Sequence, residues 1–167
     1  MPAPPPEKEE QPSGEQGERP VVYVDEHGNP VPKPVDPAAL LEDAERLMRE
    51  RKYAEALASL REIRELPSIT PEQREKILYH ISDCVWFQYA DNPLAGFEPV
   101  VSATSEAMNA NLRSPRVPDA LLRLGLANLS VGNLTDAGGY IVALYRRYPE
   151  YPGVAQGFTA LGKAQLE

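Results

Sequence analysis

From Asp36 to the last residue, apolar side chains recur at helical spacing in seven blocks, and the breaks between them are rich in proline, glycine and asparagine. A period near 3.6 is satisfied by helices that bury one stripe, and short gaps make neighbouring helices fold back antiparallel. The spacing therefore predicts an all-α body over 37–167. Asp36-Pro37 reads as a cap followed by proline in the first turn. Leu40, Ala44, Leu47 and Met48 stripe a first helix, and Tyr53, Ala56, Leu57, Leu60 and Ile63 a second that stops near Pro67. Thr70-Pro71-Glu72-Gln73 has the form of a capping box. It opens a third helix that carries Ile77, Leu78, Ile81, Val85 and Tyr89. A fourth runs from Leu94 or Pro99 to Leu112, with Val100, Val101, Thr104, Ala107 and Met108 on one side. Leu121, Leu124, Gly125, Leu126 and Leu129 mark a fifth, and Leu134, Ala137, Ile141, Leu144 and Tyr148 a sixth. Val154, Phe158 and Leu161 mark a seventh that is still running at Glu167.

Composition matters chiefly for what precedes this body. Of 18 prolines, 10 fall in the first 37 residues, and residues 1–36 hold eight acids against three bases, a net of −5 out of −8 for the chain. Residues 1–20 offer almost no apolar surface to offset ordering entropy, so a disordered Pro/Glu-rich spacer is expected there. Residues 21–36 differ: Val21-Val22-Tyr23-Val24, a turn around Asp25–Asn29 and a return through Pro30-Val31-Pro32 predict a short β-prone hairpin or arm. Asp25, His27 and Asn29 are types that ligate metals, but turns favour the same residues for backbone reasons, and no metal is assigned to them.

Whole classes are excluded. One cysteine cannot form an internal disulfide, and no run reaches the roughly 18 apolar residues of a membrane span. The start of the chain lacks the basic-then-apolar form of a signal peptide. An acidic balance without a basic cluster argues against nucleic acid and anionic lipid as main partners. Chemistry-bearing clusters are equally sparse. His80 and Cys84 lie one turn apart on one helix face, which suits a nucleophile and its base or two metal ligands; the plainer reading is a core cysteine beside a polar flank. Gly138-Gly139 is no phosphate loop, and close backbone packing would explain it. Trp86 and Phe87, with Tyr79 and Tyr89, make the most aromatic helix, and Tyr145, Tyr148 and Tyr151 flank Arg146 and Arg147 in a second patch. Core packing and partner binding both use such residues. No catalytic residue, cofactor or metal is expected, and the chain reads as non-enzymatic.

Leu121, Leu124-Gly125, Gly132-Asn133-Leu134, Ala137, Ile141 and Pro149 stand at the spacings of a tetratricopeptide repeat, so this segment resembles that family's unit of about 34 residues. Leu40, Ala44, Leu47, Tyr53, Ala56 and Leu60 resemble the same unit, with charged residues in place of the glycine turn. Leu161-Gly162 repeats Leu124-Gly125 after 37 residues. The middle pair, 71–112, departs from the pattern and lacks its small residues. The resemblance implies a right-handed α-solenoid of about seven antiparallel helices, with units near 37–67, 70–113, 117–150 and a partial 153–167. It also implies a partner peptide or helix bound in the concave groove. Carried over by position, that groove is Leu41, Glu45, Met48, Arg49, Leu122, Arg123, Leu126, Leu129 and Lys163. Family members that clamp a terminal carboxylate use lysines and asparagines where this chain has Leu41, Glu45, Leu122 and Leu126, so an apolar partner is expected instead. The repeat spacing and the Tyr145–Pro152 junction are similar to bacterial envelope proteins such as the Tol-Pal coordinator and outer-membrane-assembly lipoproteins. That favours the periplasm or a membrane tether over the cytoplasm. Because the Phe158–Leu161 face ends the chain unpaired, we expect either an excerpt of a longer protein or self-association through that face. A helical accessory domain of a larger protein or enzyme is the alternative.

Overall fold

The computed structural model describes residues 22–24, 26–31 and 35–166. The chain divides into two compact units, 1–35 and 36–167. In the first, β1 (Tyr23–Val24) pairs antiparallel with β2 (Pro30–Val31), Tyr23 opposite Val31 and Val24 opposite Pro30. The turn between them needs a left-handed residue, and Gly28 supplies it at φ +80°. The spacer expected over 1–20 lies outside the described residues, as does Asp25.

The second unit is a right-handed α-solenoid. Among the described residues it has seven helices: α1 (Pro37–Arg49), α2 (Tyr53–Arg64), α3 (Pro71–Gln88), α4 (Pro93–Ala110), α5 (Val117–Ser130), α6 (Leu134–Arg147) and α7 (Gly153–Ala164). Each packs on the next, and α5 also packs on α7. The start signals act as their chemistry requires. Asp36 Oδ1 accepts from the amide of Ala38 at 2.9 Å. At α3, the Gln73 amide donates to Thr70 Oγ1 (3.2 Å) and the Thr70 amide to Gln73 Oε1 (2.9 Å), so two end donors are satisfied reciprocally. The fourth helix starts at Pro93 under an Asn92 cap and continues through Pro99. Pro99 therefore removes one backbone donor inside α4 and does not start the helix.

Helix ends show why the first helical repeat, α1–α2, folds without a glycine turn. After α5, Gly132 takes φ +77°, and the Asn133 amide reaches back to the Asn128 carbonyl at 2.9 Å. After α1, Arg51 takes φ +60°, and the Lys52 amide reaches the Leu47 carbonyl at 2.9 Å. Both are the same left-handed C-terminal cap, met in one case by glycine and in the other by arginine at a cost in strain.

Ala44, Ala56, Leu60 and Ile63 are buried together with Leu41, Ile77, Ile81, Cys84 and Val85 in one core over α1–α4. In the last repeats Gly125 admits α6: a Cβ there would stand 2.9 Å from Ile141 Cγ1. The middle pair, expected to lack such small contacts, has one at Gly96, where a Cβ would stand 2.3 Å from Tyr89 Cβ. By contrast, close packing is absent at Gly138-Gly139, since a Cβ on Gly139 would meet nothing within 4 Å. Leu40, expected on the core stripe of α1, is 38% exposed and its neighbour Leu41 is buried. The first helix has partners on one side only, and the burial falls one residue later than the spacing suggests.

Candidate functional site

The helices that open each pair, α1, α3, α5 and α7, share one face, and their long side chains tie it together. At its centre is Asp83 on α3, brought near Arg116, which caps the start of α5, and Arg123 within α5. Arg116 donates from Nη1 to Asp83 Oδ2 (3.0 Å) and from Nη2 to Oδ1 (2.9 Å). Arg123 donates from Nη2 to Asp83 Oδ1 (2.8 Å) and from Nη1 to Ser82 Oγ (2.7 Å). Ser82 in turn shares a buried hydrogen bond of 2.8 Å with Thr104 of α4. Each guanidinium also lies over an aromatic ring of α3, Arg116 over Tyr79 at 4.9 Å and Arg123 over Trp86 at 5.5 Å. The helical period places Tyr79, Ser82, Asp83 and Trp86 on adjoining turns, so one helix offers both the carboxylate and the rings.

The network extends in both directions. Towards α1, Glu45 accepts from Lys76 Nζ at 2.5 Å and from His80 Nε2 at 3.2 Å. The other ring nitrogen of His80 stands 3.8 Å from Asp83 Oδ2. Towards α7, Arg116 Nε lies 3.5 Å from Asp119 Oδ2, and the Tyr151 hydroxyl donates to Asp119 Oδ1. Burial by itself would raise the Asp83 carboxyl, but His80, Arg116 and Arg123 more than reverse this and hold it well below the usual carboxylate range. Glu45 is lowered in the same way, burial being outweighed by Lys76 and His80. Tyr151 moves the other way: burial first, then Asp119, push its hydroxyl up to about 12.

Beside this network is a cleft of about 400 Å³ lined by residues of α3, α5 and α7 together with Tyr151. Its apolar wall is Trp86, Phe87, Leu122 and Leu126, and its polar wall is Asp83, Arg116, Asp119, Arg123, Tyr151 and Gln156. Phe87 is 48% exposed and is held in place by stacking on Tyr53 of α2, with centroids 5.1 Å apart. The cleft thus offers apolar contact beside charged groups that already have partners.

Of the nine expected groove residues, Leu122, Arg123 and Leu126 line this cleft. Arg123 is not a free cation there, because its guanidinium is spent on Asp83 and Ser82. Glu45 sits on the same face, paired with Lys76 and His80, while Met48 is half-buried against the first core. Arg49 and Lys163 are exposed, and Leu129 is half-buried away from the cleft. Leu41 does not belong with them, being buried in the α1–α4 core at 5% exposure. Cys84 is fully buried, and burial followed by the Asp83 charge pushes its thiol up to about 12, so it carries no thiolate beside His80. Sequence reading missed Asp83, Arg116 and Asp119, and placed Tyr151 in a separate patch with Arg146 and Arg147. One local signal was the aspartate set between Ser82 and the core residue Cys84.

No known family profile matches the chain, and no curated protein matches it in sequence. Among solved structures it is similar to the C-terminal domain, containing tetratricopeptide repeats, of a Plasmodium falciparum protein described as an FK506-binding protein. The TM-score is 0.59 at 14% identity, over 76% of this chain and 86% of that one. A likeness at that identity concerns the backbone alone: this chain has the fold of a tetratricopeptide-like helical repeat.

Proposed function

We propose that the chain is a non-enzymatic protein-interaction scaffold that takes a partner peptide or helix along the face built by α1, α3, α5 and α7. The observation that carries this reading is the cleft of about 400 Å³, lined by exposed Phe87, half-buried Trp86 and Leu126 and buried Leu122 beside a polar wall whose charged groups are already paired. Buried anchors that fill such a site dominate binding energy, and fixed polar groups around them exclude water and set register. The near-neutral balance of the helical body fits a partner chosen by shape and apolar contact. Placement in a bacterial envelope assembly is the finer reading, supported by the repeat spacing and the Tyr145–Pro152 junction. Among the described residues no helix is long and apolar enough to cross a membrane.

A photo-crosslinking residue placed at Gln156, in the cleft, is expected to trap a discrete partner in cells. The same residue at Ser102, exposed on α4, is expected to trap none. Leu126→Glu should abolish the Gln156 product while the protein stays folded. Equal trapping at Ser102, or a product that survives Leu126→Glu, would move the binding face elsewhere.

A further inference from the structure

Next to the cleft, where the end of α3, the start of α4 and the end of α5 meet, is a second and smaller recess of about 140 Å³. Its lining is almost wholly apolar: Trp86, Tyr89, Phe97, Val100, Leu126 and Ala127 form most of it, and no charged residue reaches it. The one aliphatic hydroxyl, that of Ser130, already donates to the Ala127 carbonyl at 2.7 Å. The lining is mostly carbon with no charge to pair, and an uncharged apolar group would fill it. The volume is close to that of the ~150 Å³ apolar cavity known to accept benzene, so it suits one ring or one leucine side chain. Trp86 and Leu126 line both the recess and the cleft, so a segment lying in the cleft would have the recess within reach of a side chain. Packing around Gly96 contributes to its shape: the missing Cβ lets Tyr89 close one side.

We propose that this recess is an anchor pocket for a single phenylalanine- or leucine-sized side chain of the segment bound in the cleft. The proposal rests on the interaction reading above and adds the chemistry of the partner: an uncharged apolar anchor beside a stretch that tolerates the polar wall of Asp119, Tyr151 and Gln156.

The test uses the whole chain and three probes: benzene, N-acetylphenylalaninamide and N-acetylglutaminamide. Nuclear Overhauser contacts to the Val100 and Leu126 methyls locate binding, and the fluorescence of Trp86, the sole tryptophan, follows saturation. Benzene and the phenylalanine probe are expected to saturate one site with those contacts, and the glutamine probe is not. Ala127→Leu, which fills the recess from its floor, should weaken both by about tenfold or more. Ser130→Leu fills it from a half-buried position at the helix end, and serves if the first variant fails to fold. Absence of saturable contacts in the wild type, or binding unchanged by the filling variant, overturns the proposal. Benzene binding without the phenylalanine probe also overturns it, since the recess would then exclude a peptide side chain. These results are independent of the Gln156 crosslink: loss of the crosslink with intact probe binding would fault the interaction reading and not the pocket.

Discussion

Asp83 of α3 receives both terminal nitrogens of Arg116, the residue at the start of α5, at 3.0 and 2.9 Å, across 33 residues of sequence. Two planar groups matched in this way fix distance and orientation together. A second arginine, Arg123, shares the same carboxylate, so one aspartate ties α3 to α5 along the polar wall of the cleft.

The two arginines should differ in what their loss costs. Arg123 has 13% of its side chain exposed and Arg116 has 33%. Either loss leaves Asp83 paired with the remaining arginine, so the difference follows burial: water replaces the bonds of the more exposed side chain better than those of the buried one. Arg123→Ala is expected to cost about 2 kcal/mol and Arg116→Ala about 1 kcal/mol. Urea denaturation checks the order, and an equal or reversed order would contradict it.

Acid stability follows from the sign of the Asp83 shift. Its carboxyl is lowered in the folded state, so it contributes stability above its unfolded pKa of about 3.9, and that contribution is lost as pH falls through the folded value. The wild type should therefore lose stability from Asp83 only below about pH 4, while Asp83→Asn starts lower at neutral pH and declines less on acidification. Denaturation midpoints from neutral to strongly acid pH measure this. Parallel curves for the two proteins would remove Asp83 as the titrating group.

Arg51 and Gly132 occupy the same left-handed cap after α1 and α5. Left-handed backbone costs a side-chain-bearing residue about 1–2 kcal/mol, partly offset because glycine loses more freedom on folding. Arg51→Gly is expected to stabilise the fold by about 0.5 kcal/mol and Gly132→Ala to destabilise it by about 1 kcal/mol. No atom stands within 4 Å of a Cβ on Gly132, so that loss would be a backbone effect. Thermal melts of both variants would decide it, and shifts of the same sign would refute the shared cap.

Glycines inside helices should divide by their surroundings. Gly96→Ala forces a methyl against Tyr89 Cβ, an atom too near the backbone to yield, and should cost about 2 kcal/mol. Gly139→Ala meets nothing and should gain up to about 1 kcal/mol of helix propensity. Chemical denaturation of the pair would separate packing from propensity.

Cys84 should be inert in the native protein. Fully buried and with its thiol pushed up to about 12, it is expected to resist iodoacetamide at neutral pH until the chain unfolds. Stoichiometric labelling of folded protein would show the α3 core to be open.

The helices were legible because each carries its own evidence. Capping at Asp36 and Thr70, the apolar period and the breaks near Pro67 and Pro149 act within a few residues. Ala44, Ala56, Gly125 and Ala137 likewise declare close helix contacts through their size alone. The site was much less legible. Repeat position put Leu41, Leu122 and Leu126 on an exposed face, whereas Leu41 and Leu122 are both buried and Leu126 is half-buried. Repeat position is an average over units, and it does not record how far the neighbouring helices cover each position.

What the sequence alone determined is the order, length and antiparallel pairing of the helices, since those rest on interactions between residues a few places apart. Only the tertiary structure decided which polar residues share a site. Asp83, Arg116, Arg123 and Tyr151 come from α3, from α5 and its start, and from the approach to α7, and their spacing along the chain has no period. Their meeting depends on how far α3 stands from α5, a distance set by side-chain packing over α4. The same packing leaves the recess beside Trp86 open, a volume that no pattern of residue types records.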